Sequence, residues 1–199
     1  RRGIFPWYEV GQPILWWSPD PRLVLFPDEL KISRSLRKVL RKEQFEIRFD
    51  TAFQEVIKSC ADVRTNQGEG TWIIPEMQQA YTELHQEGFA HSVESWLDGK
   101  LVGGLYGISM GQCFFGESMF STMNDSSKVA LVALTDFSQR VGIKLIDCQM
   151  TTPHLLSLGA REIKREVFIK MLKKYLETYS IKGLWNNGPV SMKVNLLQN

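Results

Sequence analysis

A chain of 199 residues is long enough for one sizeable domain with a small appendage, and 43% hydrophobic with 23% charged residues is the balance of a folded protein, not a disordered one. The formal net charge of +2 makes no whole-chain electrostatic case for nucleic acid, and no apolar run approaches the roughly 20 residues that span a bilayer, so the chain reads as soluble. Three cysteines (Cys60, Cys113, Cys148), odd in number and without a CxxC pair, fit reduced thiols of a cytoplasmic protein better than a disulfide framework.

The N-terminus, 1-RRGIFPWYEV-10, carries basic residues but no apolar core of a signal peptide. Residues 1–20 are rich in Trp, Pro and Gly and read as part of a small aromatic lobe, with the main domain spanning 21–199. After a short strand, 22-RLVLF-26, comes 31-KISRSLRKVLRK-42, which contains no acid. On a helix, Ile32, Leu36, Val39 and Leu40 form one apolar stripe, while Arg34, Arg37, Lys38 and Arg41 line the other side. Charge alone leaves two readings open: a solvated helix face, or a ridge that tracks phosphates.

Thr51 with Gln54 three positions later matches a capping box, and Phe53, Val56, Ile57, Cys60 and Ala61 supply a buried stripe behind it. The loop 64-RTNQGEG-70 leads to 71-TWI-73. Pro75 then suits the first turn of a helix with Met77, Ala80, Tyr81 and Leu84 inward, closed by Gly88. The runs 91-HSVESWL-97 and 101-LVGGLYGI-108 flank Asp98-Gly99, a pair suited to the positive φ angles of a two-residue hairpin turn. A third strand over 112–116 follows, then a helix from about Lys128 to Val141 closed by Gly142, a strand over 143–149, a short helix ending at Gly159, and a C-terminal helix with Val167, Met171, Leu172 and Tyr175 inward. The tail 183-GLWNNGPVSM-192 is rich in turn formers. Antiparallel strands followed by a β-α-β crossover predict an α+β domain, a mixed and mostly antiparallel sheet with helices on both faces, which is the layout of GNAT-like acyltransferases.

The chemistry concentrates in 143-IKLIDCQMTTPHLLSLGA-160. Alternation along a strand sets Leu145, Asp147 and Gln149 on one face and Ile146 and Cys148 on the other. Cys148 then points away from the acid and the amide, and beside Ile146 it reads as a small buried hydrophobe, not as the nucleophile of a pair with His154. His154 reads as part of the short helix packed behind the strand. His85, His91 and His154 show no metal-ligand spacing, so no metal is expected. Glu117, at the end of the 112–116 strand, joins Asp147 and Gln149 at one strand-end crevice, which suits a cationic or amine-bearing substrate. Leu105, Phe114, Phe120, Leu131 and Leu134 read equally as core or as the wall of an apolar pocket. An acetyl-CoA-dependent N-acetyltransferase is the alternative enzyme, and a non-catalytic RNA-binding module a third reading. The turn 122-TMNDSSKV-129, however, lacks the glycines that let backbone N–H groups approach a pyrophosphate.

The strings 3-GIFPW-7, 15-LWWSPDPR-22, 70-GTWI-73, 103-GGLYG-107, 116-GESMFS-121, 145-LIDCQ-149 and 154-HLLSLGA-160 together resemble leucyl/phenylalanyl-tRNA–protein transferases. The resemblance runs over nearly the whole chain, and the ordered set is far more specific than any one string. It implies a GNAT-like fold that moves Leu or Phe from aminoacyl-tRNA to the α-amine of proteins beginning with Arg or Lys, marking them for degradation by the bacterial N-end route. It also implies a monomeric cytoplasmic enzyme with no cofactor, no metal and no membrane partner.

The roles implied are Asp147 and Gln149 at the attacking amine, Glu117 in the acceptor-peptide site, and Trp7 and Trp72 near the 3′-terminal adenosine. Leu105, Phe114, Leu131 and Leu134 would form the aminoacyl pocket, and Arg34, Arg37, Lys38, Arg41 and Lys42 would lie along the tRNA backbone. Relatives carry a further N-terminal segment, so the chain reads as starting inside that lobe. The loop 64–70 is longer than expected, and Lys164 stands where proline is expected.

Overall fold

The computed structural model describes residues 2–8, 12–66, 71–178, 180 and 183–186. In chain order the strands are β1 (Phe5–Pro6), β2 (Trp16–Trp17), β3 (Arg22–Leu25), β4 (Glu46–Phe49), β5 (Ala90–Leu97), β6 (Lys100–Met110), β7 (Cys113–Ser121), β8 (Leu145–Gln149) and β9 (Arg161–Ile163). The helices are α1 (Arg34–Arg41), α2 (Phe53–Asn66), α3 (Pro75–Gln86), α4 (Ser126–Val141), α5 (Pro153–Ser157) and α6 (Arg165–Leu176). Strands β3 to β9 form one sheet in the order β4-β5-β6-β7-β8-β3-β9, antiparallel throughout except between β7 and β8. The parallel pair is joined by the α4 crossover, as a parallel connection requires. This is the mixed α+β layout expected from the order of elements.

Side-chain alternation divides the core between the two faces. On one, α4 and α1 pack against Leu23, Leu25, Phe49, Val93, Leu105, Phe114 and Ile146. On the other, α2 and α3 cover Ala90, Tyr106 and Phe120, while α6 sets Phe168 and Leu172 on Val24, Cys113 and Leu145. The short β1–β2 ribbon pairs Phe5 with Trp17 and Pro6 with Trp16. The β5–β6 hairpin turns at Asp98 (φ 49°) and Gly99 (φ 73°), as the Asp-Gly pair predicts. In α1, Ser33 caps the first turn by accepting from the Leu36 N–H, and Leu36 and Leu40 are buried while Arg34, Lys38, Arg41 and Lys42 face solvent.

Several boundaries differ from those predicted, for local reasons. Helix α2 starts at Phe53, and the Thr51 and Ala52 N–H groups just ahead of it are served from β5, so the Thr51 N–H goes to Glu94 and not to the Gln54 side chain of the predicted box. The Glu94 carboxylate accepts from the Thr51 and Ala52 N–H groups, each at 2.9 Å, and from the Thr51 hydroxyl. Strand β7 runs five residues past Gly116, so Glu117 lies inside it, not at its end. In α6 the buried pair is Phe168 and Leu172, with Val167 exposed, and in α3 Ala80 is exposed beside buried Tyr81 and Thr82. Strands β4 and β9 are additions, and residues 187–192 of the predicted turn-rich tail and 67–70 of the long loop lie outside the described residues.

Candidate active site

Two local irregularities, one on each parallel strand, build the site. Strands β7 and β8 are paired from Cys113–Leu145 to Phe115–Asp147 and then part. On the other edge of β7, Tyr106 of β6 faces Ser118 while Gly107 faces Gly116, which leaves Glu117 as an extra residue in a β-bulge. A bulge re-aims its side chain out of the ordinary alternation. Close packing keeps Gly107 a glycine here, because a Cβ on it would run into the Phe115 carbonyl oxygen and the Phe114 ring. Strand β8 ends on Gln149 at φ 62°, the left-handed region that non-glycine residues seldom enter. The consequence is a contact across the gap: Gln149 Nε2 donates to Glu117 Oε2 at 3.2 Å.

Asp147 takes a different position from its predicted neighbour. It is 0% exposed and is gripped by Arg22 of β3, itself 2% exposed, through Nε to Oδ1 at 2.8 Å and Nη2 to Oδ2 at 2.6 Å. Oδ1 also accepts the Gln149 backbone N–H at 3.0 Å. The expected alternation is obeyed at Asp147, which faces away from Ile146 and Cys148, and it fails at Gln149. The left-handed turn there swings the amide to the Cys148 side of the strand. Asp147 and Gln149 therefore do not share a face.

A cavity of about 420 Å³ opens where β7 and β8 separate. Its walls include Leu105, Phe114, Leu131 and Leu134, the four residues predicted for an aminoacyl pocket, together with Ile146, Met119 and Leu155. Glu117, Gln149, Trp7 and Trp72 also line it, whereas Asp147 does not. Trp7 is 39% exposed, and its carbonyl accepts from Trp17 Nε1 at 3.1 Å. Trp72, at 6%, meets the Tyr81 ring at 65° with centroids 6.2 Å apart. The cavity draws further on Cys148, which the sequence reading sets aside, on His154, which it places behind the strand, and on Met150 and Thr152, which it does not single out.

Burial sets the charge state of this site. It pushes the Glu117 carboxyl up to about 7, against hydrogen bonds from Gln149 and the Tyr81 hydroxyl that favour the ionised form; Asp147 adds to the rise and Arg22 opposes it. Burial, aided by the Asp147 charge, drives the Cys148 thiol far above its usual range, so it is protonated at neutral pH and no nucleophile. Burial and nearby Lys128 lower the His154 imidazole, which is neutral at pH 7. The site thus presents one switchable anion, Glu117, inside apolar walls.

The N-terminus of α4, where an acyl-CoA pyrophosphate would need free backbone N–H groups, is poorly made for one. Its cap is Asp125 in a left-handed conformation, with Lys128 Nζ on the carboxylate at 2.6 Å, and the Ser126 hydroxyl donates to the Val102 carbonyl at 2.8 Å. The Asp125 carboxylate, paired with Lys128, thus sits at the helix end that an anion would approach. Among the described residues, no group of three or more His, Cys, Asp or Glu side chains is placed to hold a metal ion, and no helix is long and apolar enough to cross a membrane.

The sequence of the chain matches those of known proteins. Residues 24–173 match the family model described as leucyl/phenylalanyl-tRNA protein transferase, and residues 1–20 match that of its N-terminal domain. The chain is 62% identical over 186 residues to the leucyl/phenylalanyl-tRNA–protein transferase of Aromatoleum aromaticum, covering 94% of this chain and 78% of that one. The protein of the same name from an Azoarcus species is 62% identical over 175 residues, covering 88% and 74%. That of Desulfatibacillum aliphaticivorans is 55% identical over 184 residues, covering 92% and 79%. Among solved structures, an aminoglycoside acetyltransferase from an uncultured soil metagenomic sample, in complex with sisomicin, aligns with a TM-score of 0.46 at 14% identity, over 58% of this chain and 84% of that one.

Proposed function

Because the chain belongs to the leucyl/phenylalanyl-tRNA–protein transferase family, and so to the aminoacyltransferases, we propose that its cavity receives the Leu or Phe side chain of an aminoacyl-tRNA while Glu117 and Gln149 present the α-amine of an acceptor protein beginning with Arg or Lys. The observation that carries this reading is the Glu117–Gln149 contact, which sets one carboxylate, the one acid among the described residues of the cavity wall, beside a largely apolar lining. Leu105, Phe114, Leu131 and Leu134 would enclose the aminoacyl side chain. The exposed face of Trp7 would stack on the terminal adenosine, with Trp72 backing the site through Tyr81. The ridge of Arg34, Arg37, Lys38, Arg41 and Lys42 on α1 would follow the acceptor-stem phosphates. The product would enter degradation in the cytoplasm, where charged tRNA is found.

The reaction asks little of a catalyst. The amine nitrogen attacks the ester carbonyl carbon, an N–C bond forms, the C–O bond to the ribose breaks, and the ribose hydroxyl leaves with the proton. The ester is already activated, and an α-amine has a reference pKa near 8, so a useful fraction is neutral at pH 7. Holding amine and ester together supplies most of the rate, an effect worth about 7 kcal/mol or more in well-oriented systems. Gln149 is too weak a base to take a proton, and its carbonyl oxygen suits it to accept an amine N–H and orient the lone pair. Glu117, ionised, attracts the cationic acceptor. Single-turnover transfer of labelled Leu from Leu-tRNA to an Arg-starting peptide tests this reading. Transfer is expected, with none to the same peptide acetylated at its N-terminus. Micromolar binding of acetyl-CoA with no Leu transfer would sink it.

A further inference from the structure

We propose that Arg22 is a positioning residue for the transfer reaction: it locks Asp147 so that the Asp147 carboxylate holds Gln149 in the left-handed backbone that aims its amide at Glu117. The inference rests on the reading of Gln149 as the group that orients the acceptor amine. Asp147 makes three hydrogen bonds, two to the Arg22 fork and one to the Gln149 N–H, and it does not line the cavity. Among the described residues, its one side-chain hydrogen bond to a residue of the cavity wall is therefore the one it accepts from the backbone N–H of Gln149. A carboxylate with one partner can rotate. One gripped by two parallel N–H donors in a rigid fork cannot, and the fork geometry is specific to arginine.

What fixes Arg22 is equally specific. Its guanidinium carbon lies 4.8 Å from the centroid of the Phe5 ring on β1 and 4.8 Å from that of Phe168 on α6. The plane is thus clasped between the N-terminal ribbon and the C-terminal helix, an attraction that strengthens when the cation is desolvated. Among the described residues Nη1 has no hydrogen-bond partner, and the two rings and the Asp147 pair hold this nearly fully buried cation. Strand β1 also leads directly into Trp7, which lines the cavity. One arginine therefore links three things: the ribbon that carries Trp7, the helix α6, and the strand end that carries Gln149. Ordinary backbone preference opposes a left-handed Gln149, so the conformation persists only because surrounding structure over-determines it.

Arg22→Lys is the test, since it keeps the charge and removes the fork. We expect kcat for Leu transfer to an Arg-starting peptide to fall by about tenfold to a hundredfold, the order expected for a misplacement of about 1 Å. The KM for aminoacyl-tRNA should change by less than kcat does, because Arg22 reaches the donor only indirectly, through the β1 ribbon that leads into Trp7. Non-additivity is the decisive readout. Arg22→Lys/Gln149→Ala should be no slower than Gln149→Ala alone if Arg22 acts through Gln149. Should Arg22→Lys fail to fold, Arg22→Met/Asp147→Asn removes both buried charges together, and the same loss in kcat is expected. A folded variant with wild-type kcat, or losses that multiply with Gln149→Ala, would overturn the role of Arg22. A harmless Gln149→Ala would instead overturn the reading of Gln149 itself, so the two failures are told apart.

Discussion

Glu117 and Gln149 meet at 3.2 Å across a gap between two parallel strands that stay paired only as far as Phe115 and Asp147. Neither side chain would point there from a regular strand. A bulge turns one of them in and a left-handed residue turns the other, so two departures from ideal sheet geometry converge on one contact. Clustering of such departures is typical of functional sites.

The charge of Glu117 makes the acceptor step pH-dependent. Its carboxyl is raised to about 7, so it is protonated below that pH and ionised above it. For the free enzyme, kcat/KM for an Arg-starting peptide is expected to rise about a hundredfold per pH unit below roughly 7, where Glu117 and the peptide amine must both lose a proton, and about tenfold per unit from there to the amine's own pKa near 8. Glu117→Gln should abolish the lower inflection and keep the upper one. A pH–rate profile with the lower inflection intact in the variant would contradict this.

The cavity walls set the choice of aminoacyl group. Leu131 of α4 is buried and lines the cavity, so Leu131→Phe narrows it from the helix side. Use of Phe-tRNA should fall about tenfold more than use of Leu-tRNA, the scale of discrimination that a change of a few carbons gives in an apolar pocket. Competition between the two charged tRNAs measures it, and an unchanged ratio would show that the side chain binds elsewhere.

Charge on α1 should govern donor binding alone. Lys38 and Arg41 are exposed, so Lys38→Ala/Arg41→Ala should leave the melting temperature unchanged while raising KM for aminoacyl-tRNA. The slope of log affinity against log salt should fall by about two, one for each lost phosphate contact. An aminoacyl-adenosine donor, which has no acceptor stem, should be used as well by the variant as by the parent.

Gly107 supports the bulge from the neighbouring strand. Gly107→Ala places a Cβ against the Phe115 carbonyl oxygen and the Phe114 ring, and either β6 or β7 must shift. A loss of about 1–3 kcal/mol is expected from urea unfolding, the usual scale for overpacking, with a disproportionate loss of activity because Phe114 and Glu117 move with it.

Much of this site was legible in the sequence. Strand and helix period marked the apolar residues 105, 114, 131 and 134 as core or pocket wall alike, and the family resemblance supplied the pocket role, while the Asp98-Gly99 turn placed the hairpin that orders the sheet. What escaped was irregular or distant. Glu117 read as the end of a strand over 112–116 because nothing in sequence marks a bulge, so β7 looked shorter than it is. No residue pattern announces a left-handed glutamine, and alternation accordingly put Gln149 beside Asp147 and set Cys148 on the far side from it. The Arg22–Asp147 pair joins residues 125 positions apart. The clue to it was an arginine heading the apolar run 22-RLVLF-26, where a buried cation needs a partner that only the fold supplies.

The central claim is that the Glu117–Gln149 edge selects and places a cationic acceptor's amine, and single-turnover transfer of Leu to peptides that differ only in a first residue of Arg or Ala tests it most directly. The parent protein should favour the Arg peptide by about a hundredfold, a few kcal/mol from one partly buried charge pair, and Glu117→Gln should reduce that preference to within about fivefold while still consuming Leu-tRNA. A Glu117→Gln variant that keeps the parent's preference for Arg would contradict the account.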